Sequence, residues 1–418
     1  MSACHLIFIL ISHRSNKKTN FRIKIKKMRI TSGTKNDLQK KANNAGSKTQ
    51  VLHLAGSSTS DFYFSLSVLY AKECMKAAHN DGKTMNEFEF SYALVHPEAD
   101  GYSWSFPKDL DESTIKACQK YKRCEGIAKF GSFQPDIVVP HMFCRAGLTH
   151  FRTLCDLVDF EFLGPNPNSQ EIAENKAWSK AIFQSAGVPV APGEKLVLGE
   201  NETPSSISLP FVVKPCCEAN SAGISLCTDE EEVKAALVEA FKYDDEVLVE
   251  KFIPLGRELR VSCIEESDGT INVLPALEYF IPQDIRTSGD KLQVAEEGKE
   301  VNFAPTTTQY PASVDDELSE KLRVCAIKAH KAINSRDFSV FDIRVDPEGN
   351  PFFLEASLYC SFAPKSAVVW MASGVMEHQE LFRKMLTIGA ERGQLRKMSA
   401  KENSNVQKSM KGKILISE

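Results

Sequence analysis

The chain has 418 residues, enough for two or three domains, and its 42% apolar and 25% charged residues are ordinary for a globular protein. The net charge of −4 is uneven: residues 1–50 hold 12 basic residues against one acid, so the other 368 residues carry −15. This acidic body argues against nucleic acid as the main partner. No apolar run approaches the length of a membrane span, so no membrane partner is expected.

The cysteines and the two termini bear on where the protein works. The 12 cysteines show no CxxC pair and no Cys/His metal spacing, so we expect reduced thiols and a cytoplasmic protein. Residues 1–48 leave three interpretations open: a disordered tail or mispredicted start, an organelle presequence within residues 1–30, or a basic interaction arm. Residues 396–418 are predicted to be a polar tail. The sequence leaves monomer and homodimer open.

The first part of the body, residues 49–168, is predicted to be an open parallel α/β sheet. Strands are expected at 51–54, 92–95 and 136–140, and helices at 61–78 and 148–158. Alternation of strand and helix is typical of parallel strands with helices on their faces. The turn after the first strand, residues 55–58, is where such sheets usually bind ligands, although its AGSS sequence is a weak signal.

Two α+β lobes are predicted to follow, a central lobe at 169–258 and a C-terminal lobe at 259–395. In the central lobe we expect a helix from Ser169 to Gly187, strands at 211–215, 224–227 and 246–250, and a helix to Lys242 opened by a capping box at 228–231. In the C-terminal lobe we expect strands at 258–263 and 271–280, a helix over 314–333 capped by Ser313, and a hairpin over 338–357.

The hairpin FSVFDIRVDPEGNPFFLEAS is the most informative segment. A four-residue turn at 347–350 predicts that Asp346 faces Pro351, Arg344 faces Phe353 and Asp342 faces Glu355. The predicted core face holds Phe341, Ile343, Val345, Phe352, Leu354 and Ala356. The predicted polar face holds Val340, Asp342, Arg344, Phe353, Glu355 and Ser357.

Two opposed carboxylates on that polar face should repel by roughly 3 kcal/mol at about 5 Å and an effective dielectric of about 20. The pair therefore needs a compensating cation, either Arg344 or a bound metal. Mg²⁺ suits rigid oxygen ligands and takes one or two carboxylates together with substrate phosphates. The alternative is a solvated face on an edge hairpin.

Two further segments suggest a nucleotide site. Lys214 ends a β-branched strand and enters a loop of small residues at 216–223, whose N–H groups can close over phosphates. Residues 250–253 leave a strand where a flat base could lie between two sheets. Each signal is weak alone, since a lysine at a strand end is usually only solvated. Their order, followed by the acidic hairpin, favours phosphoryl chemistry.

This order of segments resembles the ATP-grasp superfamily, and within it the D-alanine–D-alanine ligase-like branch, over residues 51–386. The resemblance implies an N-terminal open parallel sheet followed by two α+β lobes that clamp ATP, with Mg²⁺, or Mn²⁺ as an alternative. The ATP-binding residues it implies are Lys176, Lys214, Asn220, Ser221, Gly223, Glu250, Lys251, Phe252, Ile253 and Glu258. The metal ligands it implies are Asp342, Glu355 and Ser357.

The resemblance also implies catalytic parts for Lys214 and Ser221 and a substrate contact at Ser366. We expect Arg344 to stabilise developing negative charge and, with Lys365, to bind the substrate.

Several positions depart from the pattern of dipeptide-forming ligases. Where those ligases have an acid that anchors the first amino acid, this chain has SDFY at residues 60–63, and their catalytic arginine is Val340. The third metal ligand is Ser357, a weaker ligand than asparagine, and a common Glu-Asp-Gly segment is Arg-Ala-Gly at 145–147. These departures put D-Ala-D-Ala ligation in doubt.

A narrower resemblance rests on the long and unusual run LYCSFAPKS at 358–366, together with residues 142–144 and 255–258. These segments are similar to the ligase of mycosporine-like amino acid synthesis. That resemblance implies that ATP activates mycosporine-glycine and that a small amino acid is attached through an imine, which gives a UV-absorbing product. Arg344, Lys365 and Ser366 would suit such an anionic, ring-bearing acceptor.

The sequence therefore predicts an ATP-dependent carbon–nitrogen ligase for small-molecule substrates, with mycosporine-glycine as the expected acceptor. A D-alanine–D-alanine or other dipeptide ligase is the alternative within the same class. A nucleotide-binding protein without catalysis is the alternative from another class, and Ser357 is the best argument for it.

Overall fold

The computed structural model describes residues 48–218, 221–281, 283–285, 292–293, 302–303 and 307–414. The interpretations of residues 1–47 and the contact predicted for Asn220 lie outside the described residues. Three main sheets, each with its own helices, follow one another along the chain.

The N-terminal part is a five-stranded sheet with the strand order β4-β3-β2-β1-β5. Its strands are β1 (Thr49–Gly56), β2 (Phe88–Glu98), β3 (Gly101–Ser105), β4 (Lys120–Lys122) and β5 (Ile137–Pro140). Its helices are α1 (Asp61–His79), α2 (Gly82–Glu87), α3 (Glu112–Ala117), α4 (Arg123–Ser132), α5 (Arg145–Leu148) and α6 (His150–Leu157).

The predicted parallel sheet is confirmed at its centre, where β1 pairs in parallel with both β2 and β5. The other edge differs from the prediction, because β3 pairs antiparallel with β2 and β4 pairs antiparallel with β3. A two-residue turn joins β2 to β3 and is followed by Gly101, whose φ of 134° favours glycine.

The helix predicted from Ser169 to Gly187 is instead two helices, α7 (Pro167–Glu174) and α8 (Lys176–Ser185). Asn175 separates them because its side chain accepts a hydrogen bond from the Trp178 N–H and caps α8. The inner side of the pair packs on the C-terminal sheet, where Phe183 contacts Phe353. The two helices therefore support the C-terminal sheet, although the sequence groups them with the central lobe.

The central lobe is a four-stranded antiparallel sheet with the order β6-β9-β7-β8. Its elements are β6 (Gly193–Val197), β7 (Phe211–Pro215), β8 (Ser225–Cys227), α9 (Glu230–Ala240) and β9 (Glu246–Lys251). The N-cap of α9 is Asp229 rather than Thr228, and the Glu232 side chain accepts from the Thr228 N–H. We call this sheet with its helix the lid.

The C-terminal sheet has the order β15-β12-β10-β16-β17, with β11 also on β10. Its strands are β10 (Arg257–Glu265), β11 (Ile271–Val273), β12 (Leu277–Phe280), β15 (Thr307–Gln309), β16 (Phe338–Val345) and β17 (Pro351–Ser357), while β13 (Leu292–Gln293) and β14 (Asn302–Phe303) pair separately. The strand predicted over 271–280 is broken at Pro275, which has no N–H to donate. Helix α10 (Asp316–Ala332) is capped by Asp315, not by Ser313.

The hairpin pairs Asp342 with Glu355 as predicted, but its register shifts next to that pair. Ile343 faces Phe353 and Arg344 faces Phe352, because β17 has one extra residue at this point. Phe353 is consequently fully buried, whereas the sequence placed it on the polar face. The prediction for that half of the hairpin was wrong by one residue.

The last two helices are α11 (Ala367–Ala372) and α12 (His378–Ile414). Leu381, Met385 and Leu386 of α12 are buried in one core with residues of β1 and β5. The segment predicted to be a polar tail from residue 396 continues α12 as far as Ile414. Among the residues that the structure describes, no helix is long and apolar enough to cross a membrane.

Candidate active site

Charged side chains of alternating sign cover one face of the C-terminal sheet. Glu258 and Arg260 lie on β10, and Arg344 and Asp342 lie on β16 beside it. The register places Glu258 directly opposite Arg344, and Arg260 directly opposite Asp342. Each acid therefore has a guanidinium as its cross-strand neighbour, which stabilises the pairing of the strands. We call this surface the charged face.

At the edge of the charged face lie the two carboxylates that were predicted to bind a metal. Arg260 donates from Nε and Nη2 to the two oxygens of Asp342, at 2.5 and 2.9 Å. Lys176 Nζ lies 3.8 Å from Glu355 Oε2. Burial alone would lower the pKa of Arg260, but the Asp342 carboxylate outweighs it and raises that pKa. Arg260 and Lys176 are therefore cations that compensate the opposed carboxylates.

Sequence reasoning misses Arg260, because the residue precedes Asp342 by 82 positions and only the pairing of β10 with β16 brings the two together. The one available signal is the segment RELRV at 257–261, in which alternation puts Glu258 and Arg260 on the same face of a strand.

Arg344 lies at the other end of the charged face. Its Nη2 donates to Glu258 Oε2 at 2.8 Å, and its Nη1 donates to the carbonyl oxygens of Ile253 and Asp284 at 3.3 and 2.8 Å. Its guanidinium also stands 5.9 Å from the centre of the Phe252 ring. Arg344 thus joins the predicted adenine-binding segment to the predicted ribose acceptor, and its expected part in charge stabilisation stays a prediction.

Under the lid, two lysines share one buried carboxylate. Lys214 of β7 donates to Glu250 Oε1, and Lys180 of α8 donates to Glu250 Oε2. Burial would raise the pKa of Glu250, but the two ammonium groups lower it to about 2. Sequence reasoning proposed Lys214 and Glu250 but not Lys180, which lies one helical turn after Lys176. We call these three side chains the lysine–glutamate cluster.

Lys176 opens α8 and holds the loop predicted to cover phosphates. Its backbone N–H donates to the Cys216 carbonyl at 2.9 Å, and its Nζ donates to the Glu218 carbonyl. The loop ends with Ser221 and Gly223 at φ of 62° and 69°. A Cβ at Gly223 would lie 2.8 Å from Pro215 Cγ, so the loop needs glycine there for space as well as for conformation.

The predicted adenine-binding segment continues β9 along the lid. The Lys251 N–H donates to the Pro192 carbonyl at 2.8 Å, and the Phe252 N–H donates to the Pro210 carbonyl at 3.1 Å. These bonds fix the backbone of the segment against two loops of the lid. The Phe252 and Ile253 side chains are half-buried.

The oxygen donors near Asp342 fit a magnesium ion by their chemistry. Among the described residues no group of three or more His, Cys, Asp or Glu side chains could hold a metal. Asp342 and Glu355 nevertheless supply two carboxylates, and the Ser357 hydroxyl follows two positions after Glu355. Mg²⁺ commonly binds in this way, through one or two carboxylates with the remaining positions filled by water and substrate phosphates.

The run at 358–366 connects the C-terminal sheet to the N-terminal part. The Leu358 carbonyl accepts from Gln170 Nε2 at 2.8 Å, and the Tyr359 hydroxyl donates to the His141 carbonyl at 3.1 Å. Much of the run is buried, and it ends with exposed Lys365 and half-buried Ser366 at the start of α11.

Four aromatic rings lie where the run meets the N-terminal part. The ring of Phe143 lies 5.1 Å from that of Tyr359, 5.5 Å from that of Tyr63 and 5.7 Å from that of Tyr70. Burial raises the pKa of Tyr63, and the Glu218 carboxylate in the phosphate loop raises it further. We call these four rings the aromatic cluster, and Tyr63 is its member near the Glu218 carboxylate of that loop. Sequence reasoning named Tyr63 and the segments that hold Phe143 and Tyr359, but it did not predict that these rings meet, because no spacing pattern links them.

The carboxyl of Glu174 lies near Lys176 and Glu355 and has a raised pKa. Burial raises the pKa of Glu174 to about 7, with Lys176 opposing the shift and Glu355 adding to it. Glu174 can therefore hold or release a proton near neutral pH, and sequence reasoning did not identify it.

Comparison with known proteins relates the chain to one group of ligases. A family model described as D-ala D-ala ligase C-terminus matches residues 182–387. The D-alanine–D-alanine ligase of Geotalea uraniireducens is 30% identical over 230 residues, which cover 53% of this chain and 67% of that protein. The D-alanine–D-alanine ligase of Pelobacter propionicus is 32% identical over 207 residues, which cover 49% and 62%.

Solved structures with a similar fold extend the likeness to most of the chain. The D-alanine-D-alanine ligase from Coxiella burnetii has a TM-score of 0.65 at 17% identity and covers 86% of this chain and 99% of its own. The VanG D-Ala:D-Ser ligase from Enterococcus faecalis has a TM-score of 0.65 at 17% identity, with 82% and 99% covered. At these identities the likeness establishes the ATP-grasp ligase fold.

Proposed function

The chain belongs to the D-alanine–D-alanine ligase family, and from this premise we propose a function for it. Members of this family are ATP-dependent carbon–nitrogen ligases that use ATP and Mg²⁺. We propose that the chain joins the amine of a small amino acid to a ring-bearing acceptor of the mycosporine-glycine type. The observation that carries the ligase part is the opposed pair Asp342 and Glu355, flanked by Arg260 and Lys176. Activation of an oxygen by phosphoryl transfer needs such an arrangement of charges.

The proposed reaction has two steps. An acceptor oxygen attacks the γ-phosphorus of ATP, the bond from that phosphorus to the bridging oxygen breaks, and ADP leaves. The amine nitrogen then attacks the carbon that bears the phosphorylated oxygen, the carbon–oxygen bond breaks, and inorganic phosphate leaves with its electron pair. The nitrogen gives up its protons to the surroundings. With a ring carbonyl as the acceptor, the product is an imine.

The side chains of this protein would divide the work as follows. Lys176 and Lys214 bind phosphate oxygens as charge-assisted donors, and N–H groups of the phosphate loop, including that of Ser221, close over them. Asp342, Glu355 and Ser357 would hold Mg²⁺, which supplies neutralisation of phosphoryl charge when bound. Arg260 is the guanidinium beside the carboxylates, and we propose that it, rather than Arg344, stabilises negative charge there.

The acceptor class is supported by the aromatic cluster. Tyr63 lies near the Glu218 carboxylate of the phosphate loop and its ring contacts that of Phe143, and half-buried aromatic faces can stack on a flat ring. Lys365 and Ser366 remain proposed donors to an anionic group on that ring.

A D-alanine–D-alanine ligase is the second candidate, and family membership favours it, because the match over residues 182–387 is to that family. The two candidates share the ATP site and differ in the acceptor.

The deciding experiment measures ADP release and product mass with the full chain, ATP and Mg²⁺. Mycosporine-glycine is offered with glycine, serine or threonine in one arm, and D-alanine alone is offered in the other. We expect ADP release and an imine product with shifted ultraviolet absorbance in the first arm. Formation of D-Ala-D-Ala with no imine would overturn the acceptor and retain the ligase, whereas no ADP release with any amino acid would overturn both.

A further inference from the structure

The lysine–glutamate cluster contains Lys180, whose positive charge has no part in the proposed function. Lys180, Lys214 and Glu250 have side chains that are only 7%, 7% and 5% exposed. The two ammonium groups bind opposite oxygens of the same carboxylate, so Glu250 is a bridge between α8 and β7. Three buried charges at one point are costly unless each has a partner throughout the working cycle.

Binding of ATP phosphates by Lys214 would cost free energy at Glu250, and Lys180 reduces that cost. We take Lys214 to turn from Glu250 toward the nucleotide phosphate when it binds ATP, and a buried carboxylate left without a partner is strongly unfavourable. With Lys180 on its other oxygen, Glu250 stays paired after Lys214 has left. A second lysine therefore lowers the free-energy cost of releasing the first.

Lys180 is placed for this task and not for binding phosphate itself. Lys176, one turn earlier on α8, reaches the Glu218 carbonyl of the phosphate loop and approaches Glu355. Lys214 ends the strand that enters the same loop. Lys180 instead donates to the far oxygen of Glu250. The helix thus separates a lysine directed at the loop from one directed at the carboxylate.

We propose that Lys180 is a positioning residue that keeps Glu250 paired and so frees Lys214 to bind the phosphates of ATP. The proposal rests on the proposed function in one respect, namely that Lys214 binds ATP.

The proposal has a pH signature. The charged groups that face Lys180 are Glu250 of β9, Lys214 of β7 and Glu355 of β17, with Lys176 on its own helix. Burial lowers the pKa of Lys180 to about 8, with Lys214 adding to the shift and the two glutamates opposing it. As the pH rises through this value Lys180 loses its charge, Lys214 becomes the one cation paired with Glu250 among the described residues, and the affinity for ATP should fall.

The test is calorimetric titration of ATP into the full-length protein between pH 6.5 and 9.5. For the wild type we expect a constant Kd below about pH 7.5 and a loss of roughly tenfold by pH 9.5, since the group titrates near pH 8. Lys180→Met should bind about tenfold more weakly at every pH, and Lys180→Arg should bind tightly without an alkaline loss, because arginine stays charged. In Lys180→Met/Glu250→Gln the loss should shrink, because an amide holds Lys214 less firmly.

Controls separate this inference from a structural effect and from its premise. Lys195→Met removes another lid lysine paired with a glutamate, Glu246, and should leave the pH profile unchanged. If Lys180→Met does not fold, as judged by circular dichroism, the flat profile of Lys180→Arg decides the question. Wild-type affinity and pH profile in both Lys180 variants would overturn the inference and leave the proposed function standing. Normal ATP binding by Lys214→Met would overturn the premise and the inference together.

Discussion

At the scale of single residues, the two opposed carboxylates have unequal surroundings. Both oxygens of Asp342 accept hydrogen bonds from Arg260. The Glu355 side chain is 34% exposed, and the Lys176 ammonium stands 3.8 Å away, beyond hydrogen-bond distance. Glu355 is therefore the carboxylate with the more accessible oxygens for a metal or a phosphorylated substrate.

Replacing Glu355 by glutamine should abolish turnover and leave the fold intact, because it removes a ligand charge without changing the side-chain volume. The readouts are ADP release in Mg²⁺ and in Mn²⁺, with the thermal unfolding midpoint as the control for folding. Turnover near that of the wild type in either metal would contradict the metal assignment.

Replacing Arg260 by lysine and replacing Arg344 by lysine should change different kinetic parameters. Lysine keeps the charge of arginine but loses its bidentate geometry. Arg260→Lys should lower kcat by about tenfold or more with little change in KM for ATP, since Arg260 pairs with Asp342. Arg344→Lys should mainly raise KM for ATP, since Arg344 joins Glu258 to the Ile253 carbonyl. Steady-state kinetics of the two variants, measured side by side, check this. The reverse pattern would mean that Arg344, and not Arg260, stabilises the negative charge.

At the scale of elements, the hairpin shows how one extra residue redistributes side chains. After the shift beside Asp342, Phe353 packs 5.4 Å from the ring of Phe341 and 6.0 Å from that of Phe183. Phe352 is half-buried. The bulge therefore anchors α8, which carries Lys176 and Lys180, to the strand that carries Glu355.

Phe353→Ala should lower the free energy of unfolding by about 3–5 kcal/mol, as is usual when a fully buried phenylalanine is truncated. Phe352→Ala is the matched neighbour and should cost clearly less, because its ring is only half-buried. Urea unfolding of both variants measures the difference. Equal costs, or a greater cost at Phe352, would favour the unshifted register.

Local sequence patterns predicted most helices and strands, whereas side-chain contacts that depend on tertiary packing could not be predicted. The strand–turn–strand chemistry at 338–357 located the hairpin and the Asp342–Glu355 pair. It could not locate the bulge, because Phe352 and Phe353 are equally apolar and either could face the core. Arg260 and Lys180 escaped prediction because their partners lie 82 and 70 positions away and meet them only in the folded sheets.

At the scale of the whole molecule, one arginine joins three distant parts of the chain. Arg392 of α12 donates to Glu161 at 2.7 Å, to Asp337 before β16 at 2.5 and 3.1 Å, and to the Phe162 carbonyl at 3.0 Å. The Asp337 side chain is 2% exposed and also accepts from the Gly164 N–H at 2.7 Å. The contact fixes the N-terminal part against the C-terminal sheet.

Arg392→Met should therefore destabilise the protein by about 3 kcal/mol at neutral pH, because it leaves a buried carboxylate with fewer charged partners. Burial would raise the pKa of Asp337, but Arg392 and then Arg336 outweigh it and lower that pKa. The stabilisation is thus present above the unfolded-state pKa of about 4 and is lost as the pH falls through the lower folded-state value.

The difference in the free energy of unfolding between Arg392→Met and the wild type should shrink below about pH 4. Urea unfolding at pH 7 and at pH 3.5 measures it. Arg323→Met, which breaks an exposed pair with Glu320, should leave the stability essentially unchanged at either pH. If Arg392→Met were equally harmless at pH 7, the Arg392 contacts would not hold the N-terminal part against the C-terminal sheet.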